Sequence, residues 1–194
     1  MIAENTILRP EVLLRAYSQG IFPMVHDDGE TYWHDPDPRA VFLLDRVRPN
    51  ARLRSFIRSR GYRCTIDSHF EDVMRACADR ESTWITEDMI EAYTELHHQG
   101  KAHSVETWQG DTLIGGIYGV SIGAAFFGES MFSRTPNGSK TAFHHLAEHL
   151  RQQGFIVFDS QYVNDHTRKL GALEVPRSEF RSLLALAVES PDLF

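Results

Sequence analysis

The chain has 194 residues, 42% of them hydrophobic and 24% charged, with a formal charge of −7. A chain this long can bury roughly 70% of the surface it exposes when unfolded, so one compact domain with a small appendage is expected and disorder is excluded as the main state. No apolar run reaches the ~18–20 residues of a membrane span, and the opening MIAENTILRPEVLLRAY lacks the basic start and apolar centre of a signal peptide. Cys64 and Cys77 form no CxxC pair, so a reduced, cytoplasmic protein without disulfide framework or metal knuckle is expected.

In chain order, RPEVLLRAYSQ (9–19) reads as a short helix with Pro10 in its first turn and Gly20 past its end. An irregular stretch rich in turn formers follows, and residues 1–40 read as a small N-terminal module ahead of a main domain over 41–194. A strand over 40–47 and an arginine-bearing helix over 50–60 come next. Phe70, Val73, Met74 and Cys77 then recur at helical spacing behind Ser68 as N-cap, with Glu71 completing a capping box. A further helix has Thr86 as cap, Met89, Ile90, Tyr93 and Leu96 as its apolar stripe, and Gly100 as stop. From His103 the period changes to two, and AHSVETW, TLIGGIYGVSIG and AAFFGESMF predict three strands of an antiparallel meander. A helix from Ser139 to Gln153 presents Phe143, Leu146, Ala147 and Leu150 on one face, and FIVFDSQ reads as a strand buried on both faces. A short helix, a strand and a terminal helix complete the chain. This α+β order, with a mixed, mainly antiparallel sheet and a crossover helix, is similar to that of GNAT-type acyltransferases.

Charge is segregated. Seven arginines and no acid lie between Arg46 and Arg63, so that segment carries +7 and the total of −7 leaves −14 on the rest. Arg54 and Arg58 share a helical face at i, i+4, and Arg52 joins them only if the helix starts that early. The pattern suits either a solvated helix face or a surface for a polyanion. Arginine's fork, which grips phosphate with two hydrogen bonds, leans towards the second.

Other patterns carry less. His145, Glu148 and His149 match H-x-x-E-H, but they sit on the polar side of an amphipathic helix with no third ligand evident. Gly128-Glu129-Ser130 opens like a nucleophile elbow, yet Phe132 stands where the second glycine belongs. Gly110, Gly115, Gly116, Gly119 and Gly123 match no phosphate-binding loop and are expected to mark bulges or a close backbone approach to a ligand. The crossover helix opens as SRTPNGSKTAF, with one glycine, and so lacks the glycine-rich turn that cradles the pyrophosphate of coenzyme A.

GIFPM (20–24), WHDPDPRA (33–40), TWI (83–85), AYTELH (92–97), AHSVETW (102–108), LIGGIYGVSIG (113–123), FFGESMFS (126–133), SKTA (139–142), DSQYVNDHTRKLGA (159–172) and VPRSEF (175–180) together resemble the leucyl/phenylalanyl-tRNA–protein transferase family nearly end to end. The resemblance implies a GNAT-like domain behind a small N-terminal one. It also implies transfer of Leu, and of Phe or Met, from aminoacyl-tRNA to the N-terminal α-amine of proteins beginning with Lys or Arg, which marks them for degradation. No cofactor or metal is implied, and the chain is expected to act as a monomer.

The roles implied by resemblance fall on these residues. The Gln161 side-chain oxygen would accept from the attacking amine while Asp159 polarises Gln161, and Glu129 would bind the donor's α-amino group. Gly128 lies beside it. Ile117, Phe126, Met131, Phe143, Leu146, Leu150 and Phe158 would line an apolar slot between the hairpin strands and the crossover helix. Trp84 would contact the terminal adenosine, with Asn164 a polar contact nearby. Arg52, Arg54, Arg58 and Arg60 would hold acceptor-stem phosphates. Met24 departs from the tryptophan frequent at that position, with Trp33 as its candidate replacement. Read without the family, Asp159 equally caps a turn, Glu129 is an outward hairpin acid, Trp84 is a core residue at a helix start, and the slot residues are ordinary core. Two alternatives stand beside the transferase: a GNAT N-acyltransferase with another acyl donor, and a non-catalytic RNA- or degron-binding module.

Overall fold

The computed structural model describes residues 8–26, 28–81 and 83–194. The start of the expected N-terminal module, residues 1–7, and Asp27 in its turn-rich stretch lie outside the described residues, as does Ser82. The protein is mixed α+β, with a mainly antiparallel sheet and a small N-terminal part.

α1 (Pro10–Tyr17) starts on the expected proline. The stretch read as irregular contains a two-stranded antiparallel hairpin, β1 (Phe22–Val25) and β2 (Thr31–His34). Phe22 stacks on His34 there at 5.6 Å, and the Tyr32 hydroxyl donates to Asp28 across the turn at 2.9 Å. The strand expected over 40–47 is shorter, β3 (Arg39–Phe42), and α2 (Ala51–Arg60) begins early enough to include Arg52.

A strand that the sequence left unassigned follows, β4 (Tyr62–Ile66), antiparallel to β5 (Ala102–Gln109). It is short, sits at the sheet's end and carries Arg63 over the Trp108 ring at 5.3 Å, as an edge strand guarded by charge does. α3 (Phe70–Ala78) does not use the expected Ser68 cap. Asp67 takes a left-handed conformation (φ 56°), Ser68 turns back to Ile66 O at 3.3 Å, and the His69 N–H goes to buried Glu106 at 3.4 Å. The Ser68 hydroxyl is thus turned back into its own turn, and the helix starts from His69 with no side-chain cap. α4 (Glu87–His98) starts on Thr86, whose hydroxyl accepts from Met89 N as expected.

β5, β6 (Thr112–Ile122) and β7 (Ala125–Ser133) form the expected meander. α5 (Gly138–Gln153) crosses over to β8 (Val157–Gln161), which runs parallel to β7. α6 (Asp165–Leu170), β9 (Ala172–Val175) and α7 (Arg177–Val188) follow. The sheet order is β4-β5-β6-β7-β8-β3-β9. One buried cluster, on the α5 side, contains Phe42, Ile117, Phe126, Phe143, Leu146, Leu150 and Phe158. The other joins residues of α1, α3, α4 and α7 to the opposite face, and it includes Leu13, Tyr17 and Phe22 of the N-terminal part.

The β6 glycines serve packing between protein segments. A Cβ on Gly115 would lie 2.4 Å from the Gly138 backbone, so this glycine lets the start of α5 rest on the strand. Gly119 sits at a register shift, where a Cβ would lie 2.2 Å from Phe127 O.

Candidate active site

A cavity of about 490 Å³ opens where β7 and β8 diverge. Its apolar wall includes Phe42, Ile117, Met131 and Phe158, and its polar end includes Glu129, Asp159 and Gln161. Trp84, Gly128 and Asn164 also line it. Phe126, Phe143, Leu146 and Leu150 do not: they are buried in the cluster beneath. Phe42 lies 4.7 Å from Phe143 and 4.9 Å from Phe158, and these rings fill the space expected to be the depth of the slot. The open part is therefore shallower, lying along β7 and the end of β8 rather than under α5.

The polar end depends on a residue the sequence reading left in the N-terminal module. Arg39, fully buried, donates from Nε to Asp159 Oδ1 at 2.8 Å and from Nη2 to Oδ2 at 2.5 Å, while its Nη1 donates to Gly20 O at 2.8 Å. Its guanidinium also lies over Phe22 and Phe180, at 4.8 and 4.6 Å. A buried carboxylate needs such a partner, because desolvation without one is very costly. The only signal for Arg39 in the sequence was an arginine entering an apolar strand.

Asp159 reaches Gln161 through the backbone. Its Oδ1 accepts the Gln161 N–H at 3.0 Å. Gln161 is left-handed (φ 63°), and the pairing of β3 with β8 shifts register beside it, so simple alternation does not place the two side chains on one face. The Gln161 Nε2 donates to Glu129 Oε1 at 2.8 Å. Among the described residues no protein group donates to the Gln161 side-chain oxygen.

Burial pushes the Glu129 carboxyl up to about 8, and Glu129 Oε2 is shielded without a hydrogen-bond partner. Two buried tyrosines lie against this acid, Tyr17 from α1 and Tyr93 from the apolar stripe of α4, their hydroxyls bonded to each other. Arg80 at the rim donates to Ser130 Oγ at 3.0 Å. Asn164 caps α6, its Oδ1 accepting from His166 N and Thr167 N, both at 2.9 Å. Met24 lines the cavity and Trp33 does not, so no second indole takes that place.

A match to the family model described as leucyl/phenylalanyl-tRNA protein transferase covers residues 41–185, and the model of that family's N-terminal domain covers 7–37. The chain belongs to this family. A leucyl/phenylalanyl-tRNA–protein transferase of Gloeobacter violaceus is 49% identical over 188 residues, 96% of this chain and 97% of that one. Transferases of the same name from Jannaschia sp. and Herpetosiphon aurantiacus are 49% and 43% identical, over 95% and 96% of this chain and 88% and 98% of theirs.

The first N–H groups of α5 are taken up within the protein. Gly138 N donates to Thr135 O at 3.1 Å and Ser139 N to Ser133 Oγ at 3.1 Å. Among the described residues no group of three or more His, Cys, Asp or Glu could hold a metal ion, and no helix is long and apolar enough to cross a membrane. Glu148, from the H-x-x-E-H pattern, is bonded to Arg151 and Gln152.

Proposed function

We propose that this protein transfers Leu, and also Phe or Met, from aminoacyl-tRNA to the N-terminal α-amine of proteins beginning with Lys or Arg, marking them for degradation. The observation that carries this reading is the pairing of Gln161, its amide oxygen unclaimed by any described protein group, with a desolvated Glu129 at the end of an apolar cavity. The new bond joins the acceptor nitrogen to the aminoacyl carbonyl carbon, the ester bond to the terminal ribose breaks, and the proton the amine gives up ends on the departing ribose oxygen as a hydroxyl. Exchanging an ester for an amide is downhill, so the step itself needs neither ATP nor metal.

An α-amine with a pKa of about 7.7–8.0 is already neutral in roughly a tenth to a fifth of molecules at pH 7. Catalysis is then mainly orientation and management of the amine's second proton. Gln161 accepts from the attacking amine, held in place by Asp159 through its backbone N–H; a glutamine is a very weak base, so it orients the amine and spreads charge. Glu129 receives the donor's ammonium, which repays its desolvation and draws the carboxylate into its charged form. Phe42, Ile117, Met131 and Phe158 take the donor side chain, and an apolar wall rejects polar aminoacyl groups because they would lose water without gaining partners. Trp84 meets the terminal adenosine, where stacking is worth about 1–3 kcal/mol. The arginines of α2 hold acceptor-stem phosphates. The meander, the crossover α5 and the parallel β8 support a GNAT-like ancestry for the main domain, and the occupied N–H groups of α5 weigh against coenzyme A as donor.

Purified enzyme, Leu-tRNA and a peptide with N-terminal Arg are expected to give the Leu-Arg peptide by mass spectrometry, and the acetylated peptide nothing. Equal labelling of both peptides, or transfer from acetyl-CoA with none from Leu-tRNA, overturns the proposal.

A further inference from the structure

Besides the donor cavity, a cleft of about 450 Å³ lies between α2, α5 and α6. Arg48, Arg52, Lys140 and Lys169 line it, and no acidic side chain does. Among the described residues none of these four makes an ion pair, although the chain as a whole is acidic. The chain has three lysines. Two of them meet here from different helices, and the third, Lys101, is paired with Asp192 at 2.5 Å. Gathering unpaired cations costs mutual repulsion, which a bound anion relieves.

This cleft and the donor cavity share their walls. Ser139 lines the donor cavity and Lys140 the cleft; on α6, His166 and Thr167 line the first, Lys169 and Leu170 the second. Lys140 and Lys169 are close enough to lower the His166 imidazole pKa, after the larger effect of burial. Leu53 and Phe56 give the cleft an apolar side against which a sugar or base can rest. By contrast, Arg54 turns away to donate to Pro49 O, and Arg60 lies over Phe56 at 5.6 Å.

We propose that this cleft is a phosphodiester-binding site, with Lys140 and Lys169 as its central charges, that grips the RNA backbone next to the aminoacylated 3′ end. The proposal rests on the donor being aminoacyl-tRNA. A strand whose last nucleotide sits in the donor cavity passes over the first turn of α5 and over α6, and its preceding phosphates meet the two lysines. Arg48 and Arg52 flank that site, and Arg58 and Arg60 farther along α2 then serve the more distant stem.

The test compares K140A/K169A with the unchanged enzyme. With aminoacyl-tRNA as donor, KM is expected to rise about tenfold or more with kcat within twofold. The log–log dependence of kcat/KM on salt should flatten by about 1.4, since each single-strand phosphate contact contributes about 0.7. A 3′-aminoacyl-adenosine donor, which has no phosphates, should be used equally well by both proteins. K140R/K169R should restore both KM and slope. An unchanged KM and slope, or an equal loss with the phosphate-free donor, overturns the proposal. Anisotropy titrations with uncharged tRNA separate it from the transferase reading. Weaker, less salt-dependent binding by K140A/K169A supports the site even if no transfer is detected, and equal binding rejects it even if transfer is robust.

Discussion

At the polar end of the cavity between β7 and β8, Arg39 and Asp159 are both fully buried and satisfy each other, whereas along α2 the side chains of Arg52, Arg58 and Arg60 are exposed and free of ion pairs among the described residues. The buried pair cannot exchange its partner for water, so its value lies in geometry: it fixes Asp159, and Asp159 fixes the left-handed Gln161. The exposed arginines keep their hydration and long side-chain freedom, so their value lies in number and in attraction that salt screens. In the proposed transfer, one region would act through the position of single atoms, and the other through a summed field.

The sharpest way to break this contrast is to remove half of the buried pair. Asp159→Leu leaves the Arg39 guanidinium without a countercharge and is expected to cost about 3–5 kcal/mol in urea denaturation and to abolish transfer. The double variant Arg39→Met/Asp159→Leu, with both charges gone, should recover much of that stability. Transfer should stay lost, because the Gln161 N–H then has no acceptor. Transfer by the double variant would show that Asp159 has no part in holding Gln161.

A smaller effect is expected at Glu129, where burial raises the carboxyl to about 8. Because the folded pKa exceeds that of the unfolded chain, the native state holds the proton longer. The stabilisation is complete below the ordinary glutamate range and is lost as pH rises through about 8. Relative to Glu129→Gln, the unchanged protein should lose roughly a few kcal/mol between pH 5 and 8, discounted because the residue keeps partial exposure. Parallel stability curves for the two proteins would place Glu129 in a wetter setting than the structure gives it.

The sequence disclosed those parts of the fold that local physics decides. Thr86 before an apolar stripe, Gly154 after another, and the change of period at His103 each mark structure made by neighbours in the chain. β4 and the first hairpin were hidden because a four- or five-residue strand has too few alternations to stand out, and its pairing partner supplies what propensity does not. Ser68 does not cap α3 because the left-handed Asp67 before it turns the chain and the Ser68 hydroxyl goes back to Ile66 O, so the helix starts one residue later. At the site, family resemblance pointed to Glu129, Asp159 and Gln161. It did not show that Asp159 is clasped by Arg39, 120 positions away, or that Gln161 is left-handed, a conformation that leaves no mark in a glutamine's neighbours. Apolar spacing disclosed that Phe143, Leu146 and Leu150 share a face. Whether that face borders space or solid core depends on Phe42 and Phe158, which arrive from other strands.

The smallest effect is expected from Arg58→Ala, and it bears most directly on the exposed half of the contrast. The side chain is solvated, so its loss should change stability by no more than about 0.5 kcal/mol, and transfer from a phosphate-free donor should not change. Its contribution to tRNA binding should appear as a loss of about 0.9 in the log–log salt slope, one duplex phosphate's share. The position of a single charge on α2 matters little to such a field, so Arg58→Ala should weaken all tRNAs alike. A variant that changed the preference among tRNA sequences would instead mean that Arg58 touches a base edge, and the surface would then work by atomic position, as the cavity does.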